Sequence, residues 1–195
     1  MIRYCAVALA AALLASGATA GTLSTTIHAD NGFVAYLSTS DTTAGVEFSR
    51  GFDWGQGFPS STQLVAGQNY FLHIYAYDDG GVASVLGQFS LSGNEHRFSN
   101  GTTSLLTNTV NWKGNNVGFT GNYGALTDSG ANGVGPWGYQ ADTSGAARWI
   151  WAGNTETQNV AYFTTAITAN KVPEPGSMAL IGLGLAGLAG LRRRR

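Results

Sequence analysis

Asn69-Tyr70-Phe71-Leu72-His73-Ile74-Tyr75-Ala76-Tyr77 is the stretch on which the fold turns. Alternate side chains of a strand point to opposite faces, so Tyr70, Leu72, Ile74 and Ala76 share one face and Phe71, His73, Tyr75 and Tyr77 the other. Large side chains on both faces predict a strand covered on both sides. Asp78-Asp79-Gly80-Gly81 follows, a turn that needs glycine's backbone freedom. Residues 82–91 resume the strand pattern, which predicts a hairpin across that turn. Upstream, residues 22–29 and 33–37 flank Asp30-Asn31-Gly32, a second hairpin signal. Val46-Glu47-Phe48 is a shorter candidate strand. Downstream, residues 147–151 and 159–165 read as two strands around Gly153-Asn154-Thr155, with Trp149 and Trp151 sharing one core-facing side. Residues 113–145 are glycine-rich and read as loop. Short strands at turn spacing predict an all-β domain, an antiparallel β-sandwich or jelly roll.

Helical patterning is confined to the two ends. Residues 1–20 read as a secretory signal peptide: Arg3 supplies the positive start, residues 6–15 the apolar run, and Ala18-Thr19-Ala20 the small-x-small cleavage site before Gly21. The implied partners are the Sec export machinery and signal peptidase. Cys5, the only cysteine, lies inside this signal, so the exported domain has neither thiol nor disulfide and a thiol nucleophile is excluded. At the other end, Val172-Pro173-Glu174-Pro175 precedes an apolar run over 176–191 and then Arg192-Arg193-Arg194-Arg195. The run predicts a transmembrane helix. At 1.5 Å per residue it reaches roughly 24 Å, short of the ~30 Å hydrocarbon core. That length suits a temporary anchor, with the arginines held on the cytoplasmic side. Gly182-Leu183-Gly184-Leu185-Ala186-Gly187 spells a dinucleotide fingerprint, but no strand–turn–helix unit surrounds it.

Between these ends lies one domain of conventional size, residues 21–171. Arg50, Arg97, Lys113, Arg148 and Lys171 face ten acidic side chains there, a net charge of −5. An acidic surface excludes nucleic acid as a partner, which needs a basic footprint. It allows divalent cations and neutral sugars.

The order Val-Pro-Glu-Pro, apolar helix, arginine cluster over 172–195 resembles the PEP-CTERM sorting segment of Gram-negative bacteria. The resemblance implies recognition by exosortase, a membrane transpeptidase acting near Pro-Glu-Pro. It also implies an inner-membrane intermediate, delivery to the cell surface or extracellular matrix, and an association with exopolysaccharide and biofilm. The domain itself carries pieces similar to galactose-binding-like jelly rolls: Ala29-Asp30-Asn31-Gly32 with the alternating Phe33 to Leu37, then Leu64-Val65-Ala66-Gly67-Gln68-Asn69-Tyr70, Asp78 to Gly87, and Ala147 to Trp151. Ser38 to Thr43 departs from that pattern, being Ser/Thr-rich where an Asn-Gly turn is usual.

Candidate chemistry is sparse. His28, His73 and His96 have no metal or protease spacing, and His73 within its aromatic strand reads as a satisfied sheet histidine. No G-x-S-x-G elbow occurs. Asp30, Asp78 and Asp79 sit in turns; they either serve the backbone there or present hard oxygens to calcium. Among the five tryptophans, Trp54 and Trp137 lie in glycine-rich loops and are expected to be the exposed pair. They either plug an end of the sandwich or offer a stacking face to a pyranose ring. The reading is an exported, non-enzymatic surface or matrix protein that binds polysaccharide. The alternatives are a secreted hydrolase acting on polysaccharide and a purely structural matrix component.

Overall fold

Strand β1 (Thr19–Asp30) turns Leu23, Thr25, Ile27 and Ala29 inward, all buried, with Ser24 and Thr26 facing out. The same alternation governs β5 (Tyr70–Tyr77), whose Tyr70, Leu72, Ile74 and Ala76 face the same interior. A computed structural model describes residues 19–170; the signal segment before Thr19, Lys171, the sorting residues 172–195 and the predicted transmembrane run 176–191 lie outside the described residues. The remaining strands are β2 (Gly32–Ser38), β3 (Val46–Gly51), β4 (Phe58–Val65), β6 (Ser84–Leu91), β7 (His96–Phe98), β8 (Ser104–Leu106), β9 (Lys113–Asn115), β10 (Thr127–Ala131), β11 (Arg148–Trp151) and β12 (Val160–Ala169). They form two six-stranded antiparallel sheets. Sheet A runs β10-β11-β6-β1-β4 with β8 also on β6; sheet B runs β3-β2-β5-β12-β7 with β9 also on β12. No helix occurs among the described residues. The all-β, antiparallel expectation holds.

Leu23, Ile27, Phe33, Leu72, Ile74, Phe163 and Ile167 meet between the sheets with at most 1% exposure. Full burial of each such side chain contributes about 1.5–3 kcal/mol, and in this sandwich it substitutes for the missing disulfides.

Two predicted hairpins are corrected. β1 belongs to sheet A and β2 to sheet B, so Asp30-Asn31-Gly32 is a crossing between sheets. Asp78–Gly81 likewise carries the chain from β5 in sheet B to β6 in sheet A. The reason is edge occupancy: β5 is already paired by β2 and β12, and β1 by β4 and β6. Only β2–β3 and β10–β11 are joined within one sheet.

The crossings give the sandwich two poles. At the crown, 30–32, 52–57, 78–83 and 152–159 gather, laced by Asn31 N to Tyr77 O (2.8 Å), Asp78 N to Asn159 O (2.9 Å) and Ala83 N to Thr155 O (2.8 Å). At the base, β1 begins and β12 ends. Thr22 N donates to Ser92 Oγ (2.8 Å), Ala169 N to Asn69 Oδ1 (2.8 Å) and Asn170 N to Glu95 O (2.7 Å).

The outer face of β5 is covered, as its bulky alternation predicts. The Ser/Thr-rich loop 39–45 and the loop 116–124 fold over it. His73 Nε2 meets Asp41 Oδ1 at 3.1 Å and its Nδ1 donates to Ala44 O at 3.3 Å. Asp41 Oδ1 also accepts from Thr164 Oγ1 (2.6 Å), and Phe119 stacks on His73 at 4.5 Å. Ser38 Oγ donates to Ser40 O and bridges to Thr43 Oγ1, so the loop's hydroxyls do the bonding an Asn-Gly turn would make unnecessary. Gly45 closes it at φ +93°, where a side chain would also collide with the Leu37 carbonyl.

Candidate functional site

Trp137 is buried at 3% exposure, which corrects the expectation of an exposed pair with Trp54. Its loop, 132–147, is folded onto the outside of sheet A by Asn132, whose Nδ2 donates to Gln140 O (2.9 Å) and Thr143 O (2.8 Å). Trp137 then stacks on Trp149 at 4.7 Å, above Leu86 and Ala147, and its Nε1 donates to Asp30 Oδ2 (2.8 Å). Trp149 and Trp151 are both fully buried, but they do not share a side. Trp149 faces this outer cluster. Trp151, at the strand end, packs into the core between the sheets near Phe163 and donates from Nε1 to Gln158 O (2.8 Å). Ring size could not reveal this; what decides it is the loop that covers sheet A.

Trp54 remains partly exposed at 37%, beside Phe52 at 75%, on the crown loop 52–57. Its carbonyl accepts from His28 Nδ1 (2.9 Å), and His28 Nε2 meets Asp142 Oδ1 at 2.8 Å. Gly57 permits this approach, because a Cβ there would run into the Asp142 carboxylate and the Thr26 methyl. Both ring nitrogens of buried His28 are thereby engaged, as are both of His73. His96 Nε2 donates to Gln68 O (2.9 Å). No histidine hydrogen-bonds a hydroxyl among the described residues, so no Ser–His–Asp relay is assembled there.

Of the crown acids, Asp53 and Asp78 serve the turn backbone, Asp53 Oδ1 accepting from Gly55 N (2.7 Å). Asp78 Oδ2 accepts from Gly80 N (3.0 Å), and Asp79 N donates to Asn31 Oδ1 (2.6 Å). Burial pushes the Asp30 pKa up from its ordinary 3.8. The Trp137 hydrogen bond opposes this, and the Asp78 and Asp53 carboxylates add to it. Among the described residues, no group of three or more His, Cys, Asp or Glu side chains is placed to hold a metal ion. Asp78 Oδ1 is buried without a partner, as are Thr25 Oγ1, Ser49 Oγ and Trp149 Nε1.

A concavity lies elsewhere, on the outer face of sheet A. It is an open groove of about 710 Å³ over β4, β1, β6 and β8. Loop 132–147 forms one wall, clipped by Gln88, whose Nε2 donates to Asp142 O (2.8 Å) and whose Oε1 accepts from Ser144 N (3.1 Å). Sequence reasoning passed over this site because its lining is serine and threonine, which read locally as ordinary exposed strand positions.

The PEP-CTERM protein-sorting motif matches residues 171–195. No curated protein and no solved structure matches the chain. The motif marks an exported protein that exosortase processes, anchored transiently in the membrane before it reaches the cell surface. The match opens one residue after Asn170, the residue pinned to Glu95 at the base of the sandwich.

Proposed function

We propose that this protein is a non-enzymatic component of the cell surface or extracellular matrix of a Gram-negative bacterium, holding exopolysaccharide within a biofilm. Sec carries it out, signal peptidase cuts before Gly21, and exosortase acts near Pro173-Glu174-Pro175 while Arg192–Arg195 stay cytoplasmic. The observation that carries the reading is the sorting motif at 171–195, which opens one residue after the last described residue of the sandwich. The two crossing sheets support the jelly-roll likeness. The engagement of both ring nitrogens of His28 and His73 by carbonyls and carboxylates offers neither ring to a serine nucleophile. The open groove lined by hydroxyls supports a sugar ligand rather than a purely structural role.

The test is sorting. Replacing Arg192–Arg195 by alanine is expected to leave full-length protein in the membrane fraction and deplete the surface form, read by fractionation and immunoblot. Unchanged surface delivery overturns the sorting assignment. A glycosidase and esterase screen in which turnover vanishes on a single carboxylate or serine substitution replaces the binding role with that of a hydrolase.

A further inference from the structure

We propose that the groove on the outer face of sheet A is the glycan-binding surface, and that it takes a linear, uncharged polysaccharide through hydrogen bonds rather than ring stacking. This rests on the polysaccharide-holding role above and gives it a place on the molecule.

The register aligns four serines into one rung. Ser61 on β4 pairs with Ser24 on β1, Ser24 with Ser90 on β6, and Ser90 with Ser104 on β8. All four are exposed. Three inter-strand spacings of about 4.8 Å make the rung roughly 14 Å long, the scale of a short oligosaccharide rather than a monosaccharide. The next rung towards the crown sets Thr26 between Pro59 and Gln88. None of the hydroxyls of Ser24, Thr26, Ser61, Ser90 and Ser104 is hydrogen-bonded to another described residue, whereas Gln88 and the Ser144 hydroxyl are spent on holding the loop 132–147. Each free hydroxyl is both donor and acceptor, which is also the chemistry of a sugar hydroxyl.

The composition of the lining selects the occupant. It holds no Lys or Arg, so phosphates and anionic glycans find no counter-charge. It holds no Asp or Glu, so a basic partner finds none either. A second sheet packing face to face needs apolar side chains, and here small hydroxyls fill those positions. Phe89, the only aromatic of the lining, is buried at 2% and points to the core, so no ring is available for stacking in the groove. The floor is rigid sheet and one wall is clipped twice by Gln88, so little ordering is required on binding.

The experiment titrates the released ectodomain with cellohexaose, mannohexaose and hexagalacturonate by calorimetry and chemical-shift mapping. Ser24→Glu, Ser90→Glu and Trp54→Ala are compared with wild type. The serines are exposed, so thermal melts of the variants are expected to match wild type. The expected result is that a neutral hexasaccharide shifts β1 and β6 amides, binds at least about tenfold more weakly to either serine variant, and is indifferent to Trp54→Ala. Tighter binding of hexagalacturonate overturns the assignment of an uncharged ligand. Binding abolished by Trp54→Ala but untouched by Ser24→Glu and Ser90→Glu overturns the groove while leaving the polysaccharide role standing at the crown. Failure of wild type to bind any of these probes or a broad glycan array overturns both.

Discussion

At Asp30 two demands compete. The carboxyl accepts from Trp137 Nε1, which favours the charged form, yet burial and the neighbouring Asp78 and Asp53 hold its pKa above 3.8. Below 3.8 the group is neutral whether the chain is folded or not, and its contribution to stability is fully present. That contribution is lost as pH rises through the raised folded value. Asp30→Asn keeps an acceptor for Trp137 and carries no charge. It is therefore expected to be more stable than wild type at pH 7, with the advantage fading as pH falls from the raised folded value to 3.8 and gone below it; urea unfolding across pH checks this. The partner residue behaves differently from its sequence twin. Trp137→Ala empties a stacked, buried site and is expected to destabilise by about 3–5 kcal/mol. Trp54→Ala, on a half-open loop, is expected to fall within about 1 kcal/mol. Both figures are read from denaturant midpoints. Glycine flanks both tryptophans, so nothing local separates them. The difference lies in Asn132, five residues before Trp137, whose amide folds its loop back on the sheet.

Among the elements, the loop 39–45 is the clearest case of a segment that works through one side chain. Asp41 reaches His73 on β5 and Thr164 on β12, while its carbonyl accepts from Tyr123 Oη (2.9 Å). Burial and the Asp41 carboxylate push the Tyr123 pKa up to about 12. Asp41→Ala leaves a buried imidazole nitrogen unpaired and is expected to cost about 1–3 kcal/mol. Amide exchange should rise in 39–45 and 116–124 while the central strands stay protected; equal loss of protection throughout would show that the clasp is not local. This element also marks where legibility in the sequence ends. The alternation of residues 70–77 shows both that β5 is a strand and that both its faces are covered, because period and side-chain size are local. Which strand it pairs with is decided by edges already filled by β2 and β12, residues far away in the chain. Hence Asp30-Asn31-Gly32 and Asp78–Gly81 carry good hairpin signals and yet form crossings. The candidate groove was invisible for a related reason. Ser24, Ser61, Ser90 and Ser104 are unremarkable singly and acquire meaning only through register.

For the molecule as a whole, the poles differ in chemistry. The crown loops 30–32, 52–57, 78–83 and 152–159 hold Asp30, Asp53, Asp78, Asp79 and Glu156 with no lysine or arginine among them, and they carry the exposed Phe52 and Trp54. The base holds Thr19 and Asn170, the first and last described residues. Because the exported domain has no cysteine of its own, single-cysteine labelling reads its orientation directly. In the membrane-held precursor, Glu156→Cys is expected to react with a bulky maleimide several-fold faster than Asn94→Cys, and the two rates are expected to converge after release. Equal rates before release would mean that the domain tumbles freely. The pinning of Ala169 and Asn170 to Asn69 and Glu95 argues for the ordered alternative. The chain leaves the sandwich at the base, at Asn170, so a cut within 171–195 is expected to free the domain without disturbing a single rung of either sheet.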